Sequence, residues 1–297
     1  MTLRQKIKSK RFVVCGEIGP PQSCDAGVIR EKSRHFKGYV DAVNITDNQT
    51  AIVRLSSIAS AKILLDEGIE PIMQITCRDR NRLAIQSDLL GAAALGIRNV
   101  LCLTGDYQTF GDQPEAKGVF DLDSIQLIGV VAGMNRGFLQ SGAEMKKPTD
   151  FLIGAAANPF AEPFEMRLIR LQKKIASGAH FIQTQPVFDL ETFTRWMKRA
   201  VELGLHEQAA ILAGVMPVKT VQTLLWMKER VPGMRIRDEY FVRMKQAKDP
   251  QAEGVAMAVE TIRALRELPG VRGIHLMPTL WESITPTVIK ESGLSKA

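Results

Sequence analysis

The stretch PFEMRLIRLQKKIASGAHFIQTQ, Pro163 to Gln185, decides the fold. It places Pro in the first turn of an amphipathic segment, closes that segment at Gly178, and passes into the β-rich run HFIQTQ (180–185). Pro is tolerated at a helix start because its missing N–H has no partner there anyway. Gly suits the left-handed residue just past a helix end. One helix feeding one strand through a short turn is an α/β unit.

The same unit recurs in both directions. Short apolar runs lie at FVVCGEI (12–18), YVDAVNIT (39–46), PIMQITC (71–77), NVLCLTGD (99–106), FLIGAAAN (151–158), AAILAGVMP (209–217) and VRGIHLMP (271–278). Between them come helical patterns such as AIVRLSSIASAKILLDEG (51–68), RLAIQSDLLGAAALG (82–96) and LETFTRWMKRAVELG (190–204), each ended by Gly. With HFIQTQ the runs number eight, and no linker interrupts the alternation. This predicts α/β architecture as a single (β/α)8 TIM barrel, one domain over residues 1–297, with a doubly wound open sheet as the alternative.

Composition narrows the chemistry. At 297 residues and 45% hydrophobic content the chain buries an ample core without staples. Cys15, Cys24, Cys77 and Cys102 show no CxxC spacing and three fall in strand-like runs, so reduced thiols in the cytoplasm are expected rather than disulfides or a metal. The basic start MTLRQKIKSKR has no apolar stretch behind it, and no run approaches the ~18 apolar residues of a membrane span. A net charge of +7 favours anionic ligands. Scattered basic residues and 6% aromatics argue against nucleic acid and for a small phosphate-bearing molecule.

Barrels collect their chemistry at the C-terminal ends of their strands. Glu17, Asn44 with Thr46, Gln74 with Thr76, Asp106, Asn158 and Gln185 all fall at or near such ends. Each alone has an ordinary reading as a loop cap or a rim hydrogen bond. Together at one rim they predict a site. Glu17, flanked by Val14 and Ile18, is expected to be desolvated and to keep its proton near neutral pH. On α-helical spacing Arg170 and Lys174 share a face on which a phosphate could lie, with Lys173 beside them. No GxGxxG or Walker pattern supplies an alternative phosphate site.

These pieces resemble a known family. A strand ending in Glu17 before Gly-Pro-Pro, a strand ending LTGD, AAANP after the fifth run, RLQKKIASGAHFIQTQPVFD and LAGVMPV are similar to the flavin barrels of the methylenetetrahydrofolate reductase family over nearly the whole chain. The resemblance implies Glu17 as catalytic acid and Asp106 beside both flavin and folate. It implies Gln185 on the pterin, and Thr46, Gln74, Gly105 and Asn158 at the flavin, with Arg170, Lys173 and Lys174 at its phosphates. The implied cofactor is a flavin, FAD ahead of FMN, with NAD(P)H as a candidate electron donor.

Thr104 and Gln74 stand where many members have Arg and His, and Asn158 replaces an aromatic residue. GEIGPPQ and HLMP look more like reductases of anaerobic one-carbon pathways, some of which receive electrons from a partner subunit. A homo-oligomer is also compatible. The chemistry suits the residues. A methylene bridge between two folate nitrogens accepts hydride only after a proton opens one C–N bond. Glu17 would deliver that proton, a charged Asp106 would stabilise the cation, and Gln185 would both donate to and accept from the pterin edge. A pterin-dependent methyltransferase without flavin, or a non-catalytic subunit of a redox complex, are the alternatives.

Overall fold

In the computed structural model, which describes residues 1–231 and 233–294, the runs become strands β1 (Val13–Ile18), β2 (Ala42–Ile45), β3 (Pro71–Thr76), β4 (Asn99–Leu103), β5 (Leu152–Ala157), β6 (Phe181–Pro186), β7 (Ala210–Val215) and β8 (Val271–Leu276). All pair in parallel, in chain order, and β8 returns to β1 to close the barrel. The open-sheet alternative is thereby excluded. The runs read from sequence overshoot where apolar residues serve turns. Tyr39 and Val40 belong to a helix end, their N–H groups bonding to Phe36 O at 3.0 and 3.2 Å. Asp106 and Asn158 lie in loops past the strands.

Helices α1 (Leu3–Lys8), α2 (Ala26–Arg34), α3 (Ser57–Asp66), α4 (Arg82–Ala94), α5 (Ser124–Asn135), α6 (Phe164–Ala176), α7 (Leu190–Glu202) and α8 (Leu205–Gln208) accompany the first six strands and lead into β7. Between β7 and β8 come α9 (Val221–Arg230), α10 (Asp238–Gln246) and α11 (Pro250–Glu267), and α12 (Thr285–Glu291) follows β8. The helix expected from residue 51 begins only at Ser57. Ser56 caps it, its hydroxyl accepting from Ala59 N at 3.2 Å. Before it, Asn48, Thr50 and Ala51 take φ of 44°, 56° and 57°, which no continuous helix permits.

The strands sort their side chains by parity. Val14, Ile18, Val43, Ile45, Met73 and Ile75 point outward into the core shared with the helices. Val13, Cys15, Ala42, Ile72, Leu101 and Phe181 fill the barrel interior, and Leu3 of α1 joins them, fully buried, at the N-terminal end. The basic N-terminal segment thus carries the barrel's plug. Continuing the inward parity toward the C-terminal mouth gives Glu17, Asn44, Gln74, Gln183 and His275, so the apolar filling changes to a polar one. A satellite core of Phe188, Leu224, Met227, Phe241, Met244 and Met257 packs α9 and α10 against α11. Among the described residues no helix is long and apolar enough to cross a membrane, and no cluster of His, Cys, Asp or Glu forms a metal-ligand set.

Candidate functional site at the barrel mouth

Glu17 points into the barrel near its mouth, with its side chain 9% exposed. Its Oε2 accepts from Gln74 Nε2 at 3.2 Å and stands 3.2 Å from His275 Nε2. The apolar niche expected for it is therefore corrected to a polar one. Val14 and Ile18 have the opposite parity and face the helices, so the surroundings of Glu17 are set by what neighbouring strands aim inward. His275, 4% exposed, was missed by the sequence reading. The signal in the sequence was a lone polar His inside the apolar run VRGIHLMP; the structure puts it on the same face as Gly273, where a Cβ would meet Leu212 Cδ2.

The loops after β2, β3 and β4 are held by two arginines. Arg78, 2% exposed, binds Asp79 through Nε and Nη2, each at 2.8 Å. It also donates from Nη2 to Asn48 O at 3.2 Å and from Nη1 to Asp106 O at 3.4 Å. Arg80 grips buried Asp47 through both Nη atoms at 2.7 and 3.2 Å, and Asp47 accepts from Thr76 N and Oγ1 at 2.9 and 3.0 Å. Arg78 fixes the backbone of Asp106 while leaving its side chain on the exposed rim. Gly105 has φ of 95°, and a Cβ on it would lie 2.9 Å from Arg78 Cβ and 3.2 Å from Thr76 Cβ. Only Gly allows that approach. Thr46, just past β2, is 2% exposed, and its Oγ1 has no hydrogen-bond partner.

Next to the β4 loop a cleft of about 220 Å³ runs from Thr104 past Ala156, Asn158 and Gln185 to Arg167, Arg170 and Lys174 of α6. Its lining holds three cations and no carboxylate. The 3.6-residue turn places 167, 170 and 174 on one face, so Lys173 is turned to solvent and does not line the cleft. Arg167 replaces it and was missed, although the same periodicity extended one turn back would have found it. Lys174 donates from Nζ to Ala156 O at 2.6 Å. Burial, and then the neighbouring Arg170 charge, pull its pKa from 10.5 down to about 8. Asn158 accepts from Phe160 N at 3.0 Å and donates to Gly233 O at 3.4 Å, joining the loop after β5 to the chain beyond α9.

Below the mouth, Asn44 Nδ2 donates to Gly16 O at 3.1 Å while Asn44 Oδ1, both amide atoms of Gln183 and His275 Nε2 have no hydrogen-bond partner. A layer that barrels fill with branched apolar side chains is here amide and imidazole. Such buried polar atoms mark a place for water or ligand.

Comparison with known proteins agrees in direction. The chain is 25% identical over 257 residues to "Probable methylenetetrahydrofolate reductase (NADPH)" of Caenorhabditis elegans, covering 84% of this chain and 36% of that one. It is 25% identical over 217 residues to "5,10-methylenetetrahydrofolate reductase" of Escherichia coli (strain K12), covering 70% of this chain and 65% of the other. It thus spans little more than a third of the nematode relative. In fold it matches a Clostridium thermocellum protein described as binding two copies of 5-methyl-5,6,7,8-tetrahydrofolic acid, with a TM-score of 0.67 at 16% identity, covering 98% of this chain and 97% of that one. The family model described as Methylenetetrahydrofolate reductase matches residues 2–293, and the chain belongs to that family.

Proposed function

We propose that this chain, acting over residues 1–297 as a single flavin-binding barrel in the cytoplasm, reduces 5,10-methylenetetrahydrofolate to 5-methyltetrahydrofolate. The observation that carries the reading is the inward Glu17 carboxyl at the mouth of a barrel whose rim also holds a cleft lined by three cations. The residues present fit a flavin nucleotide. Arg167, Arg170 and Lys174 offer unbalanced positive charge for its phosphates, and two phosphates match three cations better than one, which favours FAD. Thr46 Oγ1 has a free bonding direction, and Ala156 and Ala157 give a flat ring close access to backbone. When bound and reduced, the flavin supplies the hydride.

The protein's own groups do the rest. Glu17 hands a proton to a bridge nitrogen, opening the ring to an electrophilic iminium. Gln74, bonded to Glu17 Oε2, keeps the acid in the barrel axis. Asp106, set on the rim by Arg78, brings negative charge to the developing cation, and fixed charge of this kind usually supplies the largest share of rate enhancement. Gln185, lining the cleft, pairs with the amide-like pterin edge.

The test is direct. Purified protein should be yellow and release a flavin identifiable by mass spectrometry. Glu17→Gln should lose folate reduction by at least ~10²-fold while its flavin is still reduced by the electron donor. A colourless protein, or a Glu17→Gln variant that turns over normally, refutes the proposal. NADH oxidation by the chain alone supports direct use of a nicotinamide donor. Reduction that requires an added second protein assigns the electrons to a partner.

A further inference from the structure

The function just proposed uses Glu17 and the cleft but leaves the polar layer beneath them without a task. We infer that His275 is a positioning residue for the acid: with Gln74 it holds Glu17 Oε2, so that Oε1 is the oxygen presented to the ligand. The inference rests on the reductase reading of Glu17. His275 sits on β8 in register with Cys15 and with Gly214, one layer below Glu17 on the closing seam of the barrel.

A Glu side chain has three rotatable bonds, and a single hydrogen bond leaves its carboxyl free to swing. Here two groups from different strands, Gln74 on β3 and His275 on β8, approach the same oxygen at 3.2 Å each. The imidazole contact is close but out of line, since Nε2 makes no hydrogen bond. Catalytic contacts commonly tighten in the complex with substrate. A ligand taking Oε1 from the mouth would press Oε2 toward Nε2.

A histidine that merely fills space and one that aims the acid give opposite results on substitution. His275→Phe keeps the bulk and removes the nitrogen, whereas His275→Gln offers an amide N–H in its place. The positioning role predicts that His275→Phe retains flavin and binds 5-methyltetrahydrofolate as the wild type does, yet turns over about 100-fold more slowly, the scale of a misplacement of order 1 Å. His275→Gln should recover at least about tenfold of that loss. His275→Ala gives the same comparison if the Phe variant does not fold, with added imidazole restoring turnover.

His275→Phe turning over within about threefold of wild type overturns the assignment, as does a folded His275→Gln no better than Phe, or an Ala variant that imidazole does not help. If Glu17→Gln proves fully active, the reductase reading falls on its own. Crystals of His275→Phe then decide the geometry: a Glu17 carboxyl that swings off Gln74 upholds the positioning, and one that stays refutes it.

Discussion

Replacing Lys174 with Met separates what binds the cofactor from what stabilises the fold, because the two effects have opposite signs. In the ligand-free protein the lysine pKa falls from 10.5 to about 8, chiefly through burial, so its charged form is disfavoured by about 3 kcal/mol at neutral pH. Its bond to Ala156 O at 2.6 Å returns about 1 to 2 kcal/mol. Met keeps the length of the stem without the charge, so Lys174→Met should leave the ligand-free protein about 1 to 2 kcal/mol more stable at pH 7.

The pH dependence fixes the sign. Between about 8 and 10.5 the unfolded lysine holds a proton that the folded one has lost, so wild-type stability gains about 3 kcal/mol from this group as pH rises through that window. Below about 8 the penalty is complete, and above 10.5 it is gone. Urea unfolding of both flavin-free proteins at pH 7 and pH 10.5 should show the advantage of the variant shrinking to nothing or reversing. The variant should meanwhile lose flavin, since an anion is what makes the buried charge tolerable. A stability difference that does not vary with pH, or a variant that keeps its flavin, would refute this account of the cleft.

Arg170→Ala should weaken flavin retention at least tenfold, whereas Lys173→Ala should leave it unchanged, as fluorescence titration of flavin with the ligand-free proteins would show. Gly105→Ala, forcing a Cβ to within 2.9 Å of Arg78 at φ 95°, should destabilise by about 1 to 3 kcal/mol and loosen the rim that carries Asp106, seen as a lowered urea midpoint together with reduced turnover. Leu3→Ala, at the barrel's buried plug, should lower stability by about 2 to 5 kcal/mol with the flavin spectrum unaltered once folded.

What the sequence showed and what it hid follow from the range over which each signal acts. Strand positions and helix ends were legible because a run of apolar residues and a closing Gly act within one element: Gly68, Gly96, Gly178 and Gly204 all take positive φ just past their helices. Glu17 was legible as a candidate, and as an inward residue near the mouth, because few strands carry an acid. Its surroundings were not, since its flanking residues face the other side of the sheet and its real neighbours, Gln74 and His275, are contributed by β3 and β8. Lys173 and Lys174 look equivalent as a pair of letters, yet a 100° turn separates a solvent-facing lysine from one bonded to Ala156 O. The helix expected from residue 51 failed for a tertiary reason: the stretch around Asn48 is bent to meet Arg78 and Arg54, and hydrophobic periodicity cannot register a bend imposed by partners elsewhere in the chain.

The arrangement of Gln185 shows how such long-range constraints build a site from ordinary parts. Alternation along β6 puts Gln183 and Gln185 on one face of the strand, a layer apart. The ladder to β7 slips between Gln183 and Pro186, and a bulge re-aims the side chain beside it. Thr184 Oγ1 replaces the disturbed ladder bond, accepting from Gly214 N at 2.9 Å and donating to Gln185 O at 3.0 Å. Gly214 is what lets the two strands come so close, since a Cβ there would lie 2.5 Å from Thr184 O and 2.7 Å from the Gln185 carbonyl carbon. Gln183 stays in the buried floor while Gln185 reaches the cleft. One sequence element, QTQP, thereby supplies two amides at two depths, one in the buried floor and one at the cleft, and a glycine on the neighbouring strand makes room for the irregular ladder between them.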